Sequence, residues 1–227
     1  MRNAIHIGNG YIVTTDNSGG IGEKPGDRVA VPDRVTAYFA ARVALLEQWA
    51  SHAEPVTIVI HNFSGSASWD KYVAGVTDLF REAGIVVPAI SGSTETNMEL
   101  VQSAMAVTMI GEKKQRALGE ETTWFTYGTP LVGHEVLERK EEVASLRLLK
   151  EALASGIVQQ IWPVGSSGIL QEVRQMTGNE VAQVETVLNS TKSGGPATVV
   201  LVAITASKIS EAEAFFGASL NKIQIIS

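Results

Sequence analysis

Three carboxylates stand where acidic side chains could do chemistry. Asp16 ends the strand-like run "YIVTT", Glu47 borders the apolar stripe of a helical segment, and Glu95 sits in "SGSTETNM", where a strand runs into a Gly/Ser/Thr turn. Magnesium bound to a polyphosphate takes one or two carboxylates and keeps several waters, so a set of this kind suits that ion. Between the first two lie Gly19, Gly20, Gly22 and Gly26, with Lys24 among them. Glycine lets backbone N–H groups approach phosphate oxygens, and a lysine adds a point charge. Together these residues suit Mg-ATP. Each also has a plainer explanation: the glycines as a flexible connection, Glu47 as half of a salt bridge, and Gly92 and Ser93 as ordinary turn residues.

The elements that must position them can be read from pattern. Asn9-Gly10 between two alternating apolar runs predicts a hairpin with a type I′ turn, whose central residues both need φ > 0. Val35, Phe39, Val43, Leu46 and Ala50 recur at helical spacing behind Pro32 and Asp33, and Glu47 lies at the edge of their stripe. "VTIVIHNF" (56–63) reads as strand, "WDKYVAGVTDLFREAG" as a helix ended by Gly84, and "IVVPAIS" and "LVQSAMAVTMIG" as two further strands. The expected fold class is α+β in two domains: an N-terminal mixed sheet with helices on one face over residues 1–112, then a smaller α/β domain over 125–227. "EKKQRALGEETT" is charged and lacks periodicity, which places the linker at 113–124. The second domain should hold strands at "FTYGTPLVG", "VQQIWPVG", "ATVVLVAIT" and "KIQIIS" and helices at "EEVASLRLLKEALASG", "GILQEVRQMTG" and "SEAEAFFG", while "VAQVETVL" reads equally as strand or helix.

Composition narrows the function classes. A net charge of -6 argues against a general nucleic-acid binder, because phosphate-backbone affinity rests on clustered Lys and Arg. Zero cysteines exclude disulfides, thiolate nucleophiles and Cys-ligated zinc, and fit a reducing, cytoplasmic setting. The longest apolar run, "ATVVLVAITA", is about half of the ~20 residues a membrane-spanning helix needs, and the N-terminal residues do not read as a signal peptide. His6, His52, His61 and His134 stand in neither HxH nor HExxH spacing. "VGSSGIL" has one residue too few for the GxSxG of a serine hydrolase, no GxxxxGK[ST] is present, and "GNGYIV" supplies only two glycines of GxGxxG.

The order "IGNGYIVTTD", a glycine loop, "ALLEQWASHAEP" and "ISGSTETNMELVQSAMAVTMIGE" resembles the superfamily of aminoimidazole ribonucleotide synthetase, selenophosphate synthetase and thiamine-monophosphate kinase over about the first 112 residues. That resemblance implies Mg-ATP binding. Asp16 matches the family's TTD metal ligand, Glu47 its helix acid eight residues before Pro55, and Glu95 falls one place after its turn acid. Gly19, Gly20, Gly22, Lys24, Ser93, Thr94 and Asn97 are then the nucleotide contacts. The sequence departs from the family where Asn9 replaces an aspartate, Leu46 an asparagine and "GST" a GGD or GGE turn; in "VGSSGIL", Ser167 replaces an acidic ligand. "TTDNSGGIG", "ARVALLE", "GSTETNM", "TPLVGHEVL" and "WPVGSSGIL" together look most like the α-ribazole kinases, which phosphorylate a nucleoside with ATP. The resemblance also implies a homodimer, closed by pairing the uncovered sheet face across a twofold axis. The competing readings are a nucleotide-binding or regulatory protein that lost turnover with its aspartates, and another ATP-dependent enzyme of the superfamily.

Overall fold

The computed structural model describes residues 4–114 and 121–226, which form two compact units. Residues 115–120 of the expected linker lie outside the described residues. Its remaining positions are partly strand, because the last strand of the first unit runs to Lys113 and the first of the second unit begins at Thr122.

In the first unit, β1 (Ala4–His6) and β2 (Tyr11–Gly19) make the expected hairpin, with Ala4 opposite Thr14. Tyr11 N donates to Gly8 O at 2.9 Å around Asn9 (φ 47°) and Gly10 (φ 77°), the geometry that the Asn-Gly pair predicts. Two short parallel strands, β3 (Ile21–Gly22) and β4 (Val29–Ala30), follow, then α1 (Asp33–Ala50), β5 (Ala53–Asn62), α2 (Trp69–Ala83), β6 (Ala89–Thr94) and β7 (Ala104–Lys113). The main sheet has the order β1-β2-β7-β5-β6, with β5 and β6 parallel and every other pair antiparallel, so it is a mixed sheet. The strand expected at "IVVPAIS" starts only after Pro88, which has no N–H to give a ladder, and the one expected from Leu100 starts at Ala104.

One face of this sheet is covered by helices because its strands alternate. Ile12, Thr14, Ile58, Ile60, Met105, Val107 and Met109 are buried, and α1 packs against β2, β7 and β5. Ala37, Ala41 and Ala44 bring the helix backbone close to the sheet, where the Thr14 hydroxyl donates to Ala44 O at 2.8 Å. The Gln48 amide reaches Ile12 O at 3.1 Å and Met109 O at 3.0 Å. A Cβ on Gly111 would collide with that Gln48 side chain, so the glycine makes room for the peg. These polar pegs fix the register of helix on sheet, while each buried Ile or Met adds ~2 kcal/mol through burial. Against α1 lies α2, with Tyr72, Val76, Leu79, Phe80 and Ala83 buried along one stripe and Gly84 (φ 69°) closing it in the left-handed conformation.

The second unit comprises β8 (Thr122–Gly128), α3 (Glu135–Glu138), α4 (Leu146–Ser155), β9 (Gln160–Pro163), α5 (Gly168–Thr177), β10 (Gln183–Glu185), β11 (Val199–Thr205), α6 (Ile209–Phe216), β12 (Leu220–Lys222) and β13 (Gln224–Ile226). Its sheet has the order β12-β8-β11-β9, and β11 is buried throughout, as a continuous apolar run requires. Trp162, Val164, Ile169, Val173, Val199, Leu201 and Ile223 form a core between that sheet and α5. "VAQVETVL" contributes strand, not helix, and the expected terminal strand is split: β12 joins the four-stranded sheet, while β13 pairs with β10. The expected helix from Glu141 begins only at Leu146, where the Ser145 hydroxyl accepts from Leu148 N. Among the described residues no helix is long and apolar enough to cross a membrane.

Candidate functional site

The carboxyl ends of the parallel pair β5 and β6 meet the end of β2, and polar side chains gather there. Asn62, 1 % exposed, ends β5; its amide nitrogen donates to Gly65 O (2.8 Å) and Thr94 Oγ1 (3.2 Å), and its Oδ1 accepts from Ser64 N (2.9 Å). Ser64 Oγ lies 2.7 Å from the Tyr72 hydroxyl and accepts from Ala104 N at 3.0 Å. Burial, with the negative Asp33 and Asp27 nearby, pushes the Tyr72 phenol up to about 12 against the pull of the Ser64 hydrogen bond, so it stays protonated at neutral pH.

The glycine segment lies across this edge. It leaves β2 at Gly20 (φ 69°), whose N–H donates to Ser103 O at 2.8 Å, and passes through β3 to a turn at Lys24–Asp27 before returning in β4. Asp27 accepts from the amide and the hydroxyl of Ser103, each at 2.7 Å. Burial pushes the Asp27 carboxyl up, but the Ser103 and Lys24 hydrogen bonds outweigh it and hold the group below the usual carboxylate value. Glu23 is lowered chiefly by its ion pair with Lys71 and then by the Asp33 amide, while its own N–H donates to Asp33 Oδ1 at 3.3 Å. Asp33 is 2 % exposed.

Each residue singled out in the sequence can now be placed. Asp16 lies in the middle of β2, opposite Val107, on the helix-covered face with Ile12 and Thr14; strand rise puts it about 10 Å from Gly19. Glu47 is 2 % exposed within α1, and both carboxylates are already engaged by other groups. Glu95 follows β6, where its Oε1 accepts from Asn97 N (2.6 Å) and Met98 N (3.1 Å); these bonds, the Asn97 one first, hold its carboxyl below the ordinary value. Among the described residues no three His, Asp or Glu side chains are grouped closely enough to hold a metal ion. Asp16, Glu47 and Glu95 are therefore not gathered into one cluster of three: Glu47 is buried within α1, and Glu95 is bonded to its own turn.

The glycines divide as well. A Cβ on Gly19 would meet nothing within 4 Å, and one on Gly20 only Gln102, at 3.3 Å. Gly22 would collide with Ser103 and come within 2.8 Å of Asp33, and Gly26 would come within 2.5 Å of Val101 O, so these two serve close approach of the chain to itself. Lys24 Nζ donates to Leu100 O at 2.6 Å. Ser93 and Thr94 are consecutive in β6 and point to opposite faces; Thr94 joins Asn62, whereas Ser93 stands opposite His61 on the other face. Asn97 is exposed. Sequence reasoning missed Asp27, Asn62, Ser64, Tyr72 and Ser103. The one legible signal was Asn62, a polar residue ending a β-branched run.

In the second unit, the turn before α5 is closed. Gly168 has φ 79°, and a Cβ there would stand 2.8 Å from Ser190 O and 2.9 Å from Lys192 O. Leu170 N, in the first turn of α5, donates to Ser190 O at 2.9 Å, and Gly194 N to Gly165 O at 2.9 Å. Behind the turn, fully buried Glu172 accepts from Trp162 Nε1 (2.9 Å) and Gly165 N (3.1 Å). Ser167, placed by the resemblance at an acidic ligand's position, precedes the helix without a side-chain capping bond.

This arrangement of strands and helices has solved counterparts. The hydrogenase maturation protein HypE superposes with a TM-score of 0.68 over 98% of this chain and 82% of its own, at 11% identity. Thiamine monophosphate kinase from Aquifex aeolicus superposes with 0.62 over 96% and 86%, at 12% identity. The chain has the aminoimidazole ribonucleotide synthetase-like fold. T. maritima PurL in complex with ATP matches 99% of this chain, which spans 42% of PurL, with a TM-score of 0.62 and 13% identity. HypE has likewise been solved with ATP, in a structure that matches with a TM-score of 0.65 at 12% identity, over 98% of this chain and 78% of HypE. No protein-family model matches the chain, and no curated protein is detectably related to it in sequence.

Proposed function

We propose that the chain is an ATP-dependent small-molecule kinase, and that its acceptor is the nucleoside α-ribazole, converted to α-ribazole 5′-phosphate with release of ADP. The observation that carries this reading is the open backbone at Gly19, followed in the same glycine-bearing segment by Lys24, beside the carboxyl ends of β5 and β6 in a fold whose solved examples include ATP complexes. The α-ribazole assignment rests on the sequence resemblance. In this reading Gly19, Gly20 and Lys24 meet the phosphates, and Thr94 borders them through Asn62. Gly22 serves the close approach of the chain to Ser103, Glu47 is buried within α1, and Glu95 accepts from its own turn.

Magnesium is implied by the resemblance; Asp16, Glu47 and Glu95 are not grouped as three, so no more than two of them would hold it together, with water filling the other positions. The chain's own contribution is positional: backbone N–H groups and one ammonium hold the phosphates while the substrate hydroxyl attacks in line, which suits a reaction governed by positioning and charge. A homodimer belongs to the same proposal. The sheet face away from α1 carries Ile5 (62 % exposed) and Tyr11 (41 %), apolar surface that a second copy would cover.

The test is ADP formation with α-ribazole and, separately, with thiamine monophosphate. Turnover with the first alone is expected, since a nucleoside site discriminates through hydroxyl and base contacts. ATP binding without turnover of either would favour the regulatory reading. For the dimer, light scattering at micromolar concentration should report twice the 24.2 kDa chain mass.

A further inference from the structure

Residues 20–28 are fastened, and the fastenings converge on one side chain. Pro25-Gly26 forms a turn closed by Asp27 N donating to Lys24 O at 3.0 Å, while Asp27 Oδ2 accepts from Lys24 N at 2.9 Å. The backbone of Lys24 is thus held on both sides by the same residue. That residue is tied in turn to the neighbouring segment through the Ser103 amide and hydroxyl, each at 2.7 Å, and Gln102 Nε2 adds a bond to Gly26 O at 2.7 Å. By contrast, the Lys24 ammonium has an uncharged acceptor, Leu100 O, at 2.6 Å. An anionic oxygen is a better partner for an ammonium than a carbonyl is, so the side chain can change partner while its backbone stays pinned.

We infer that Asp27 is a positioning residue: it pins residues 20–28 to Ser103 and thereby sets where the Lys24 ammonium stands to meet an anionic ligand. The identity of that ligand rests on the ATP reading; the pin itself does not. Gly22 and Gly26 belong to the same device, because a side chain at either would lift the segment off Ser103 or Val101.

Amide hydrogen exchange and calorimetric titration with Mg-ATP test this on Asp27→Asn, Ser103→Ala, Lys24→Met and the Asp27→Asn/Lys24→Met pair. Exchange across residues 20–28 should quicken at least about tenfold in Asp27→Asn and in Ser103→Ala, with β11 unchanged as the internal reference. Asp27→Asn and Lys24→Met should each weaken ATP about tenfold, and the pair should lose no more than either alone, since one residue acts through the other. Unchanged exchange in Asp27→Asn would overturn the pin, and affinity losses that multiply would overturn its action through Lys24. If the wild-type protein binds no ATP, the functional reading fails, and the exchange result alone decides the pin.

Discussion

The two units each end a strand in a glycine-bearing turn, yet they use glycine in opposite ways. At the end of β9, Gly168 and Gly194 are surrounded by backbone, carbonyls from the 190–194 loop cap or crowd the first turn of α5, and a buried carboxylate fixes the turn from behind. At the end of β2, Gly19 keeps open space and Gly20 meets only the Gln102 side chain, and the polar side chains around them bond mostly to one another or to nearby backbone. Glycine content alone does not separate a site from a seal. What a Cβ would meet does.

The sharpest way to break this comparison is at Glu172. Glu172→Ala strands the Trp162 N–H and the Gly165 amide in the core and should cost about 3 kcal/mol in urea denaturation. A loss below about 1 kcal/mol would mean that the turn is held by its loops alone. Next in size, Gly168→Ala should cost ~2 kcal/mol from its left-handed φ and the carbonyls at 2.8 and 2.9 Å, whereas Gly19→Ala should stay within ~0.5 kcal/mol and lower ATP affinity instead. Equal effects on stability would erase the distinction between the two turns.

The smallest effect is one of pH. Asp27 and Glu23 both titrate below their ordinary values in the folded protein, so the stability they lend is complete above the unfolded-state value of ~4 and is lost as pH falls through the lowered folded-state values. Melting curves of wild type and Asp27→Asn should therefore differ at neutral pH and converge on acidification, as the protonated carboxyl comes to resemble the amide. A gap that persists unchanged into acid would show that the Asp27 charge contributes nothing.

Much of the fold was legible because it rests on short-range pattern. The Asn9-Gly10 turn, the stripe of α1, the Gly84 stop and the buried run of β11 each carry their own signal within a few residues. The site was less legible because its contacts are long-range. Asp27 and Ser103 are 76 residues apart, and nothing in "PGDR" says that its aspartate will bind a serine beyond β6. Glu47 was ambiguous for the opposite reason: an acid at the edge of a helical stripe reads alike whether it awaits a metal or is buried among protein groups, and its burial shows only in the packing of the whole helix, which buries every residue from Ala40 to Ala50. Asp16 was read as the end of a strand, but β2 continues to Gly19 because β7 supplies a partner for every residue as far as Ala104.

The central claim, that the open backbone at the end of β2 receives the phosphates of ATP, is tested most directly by a structure of the protein with Mg²⁺ and a non-hydrolysable ATP analogue. Phosphate oxygens are expected within hydrogen-bond distance of the Gly19 amide, since the Gly20 amide is already given to Ser103 O, and Lys24 Nζ should have moved from Leu100 O onto the phosphates. A nucleotide bound elsewhere, or phosphates beside the α5 turn with Lys24 still on Leu100, would contradict it.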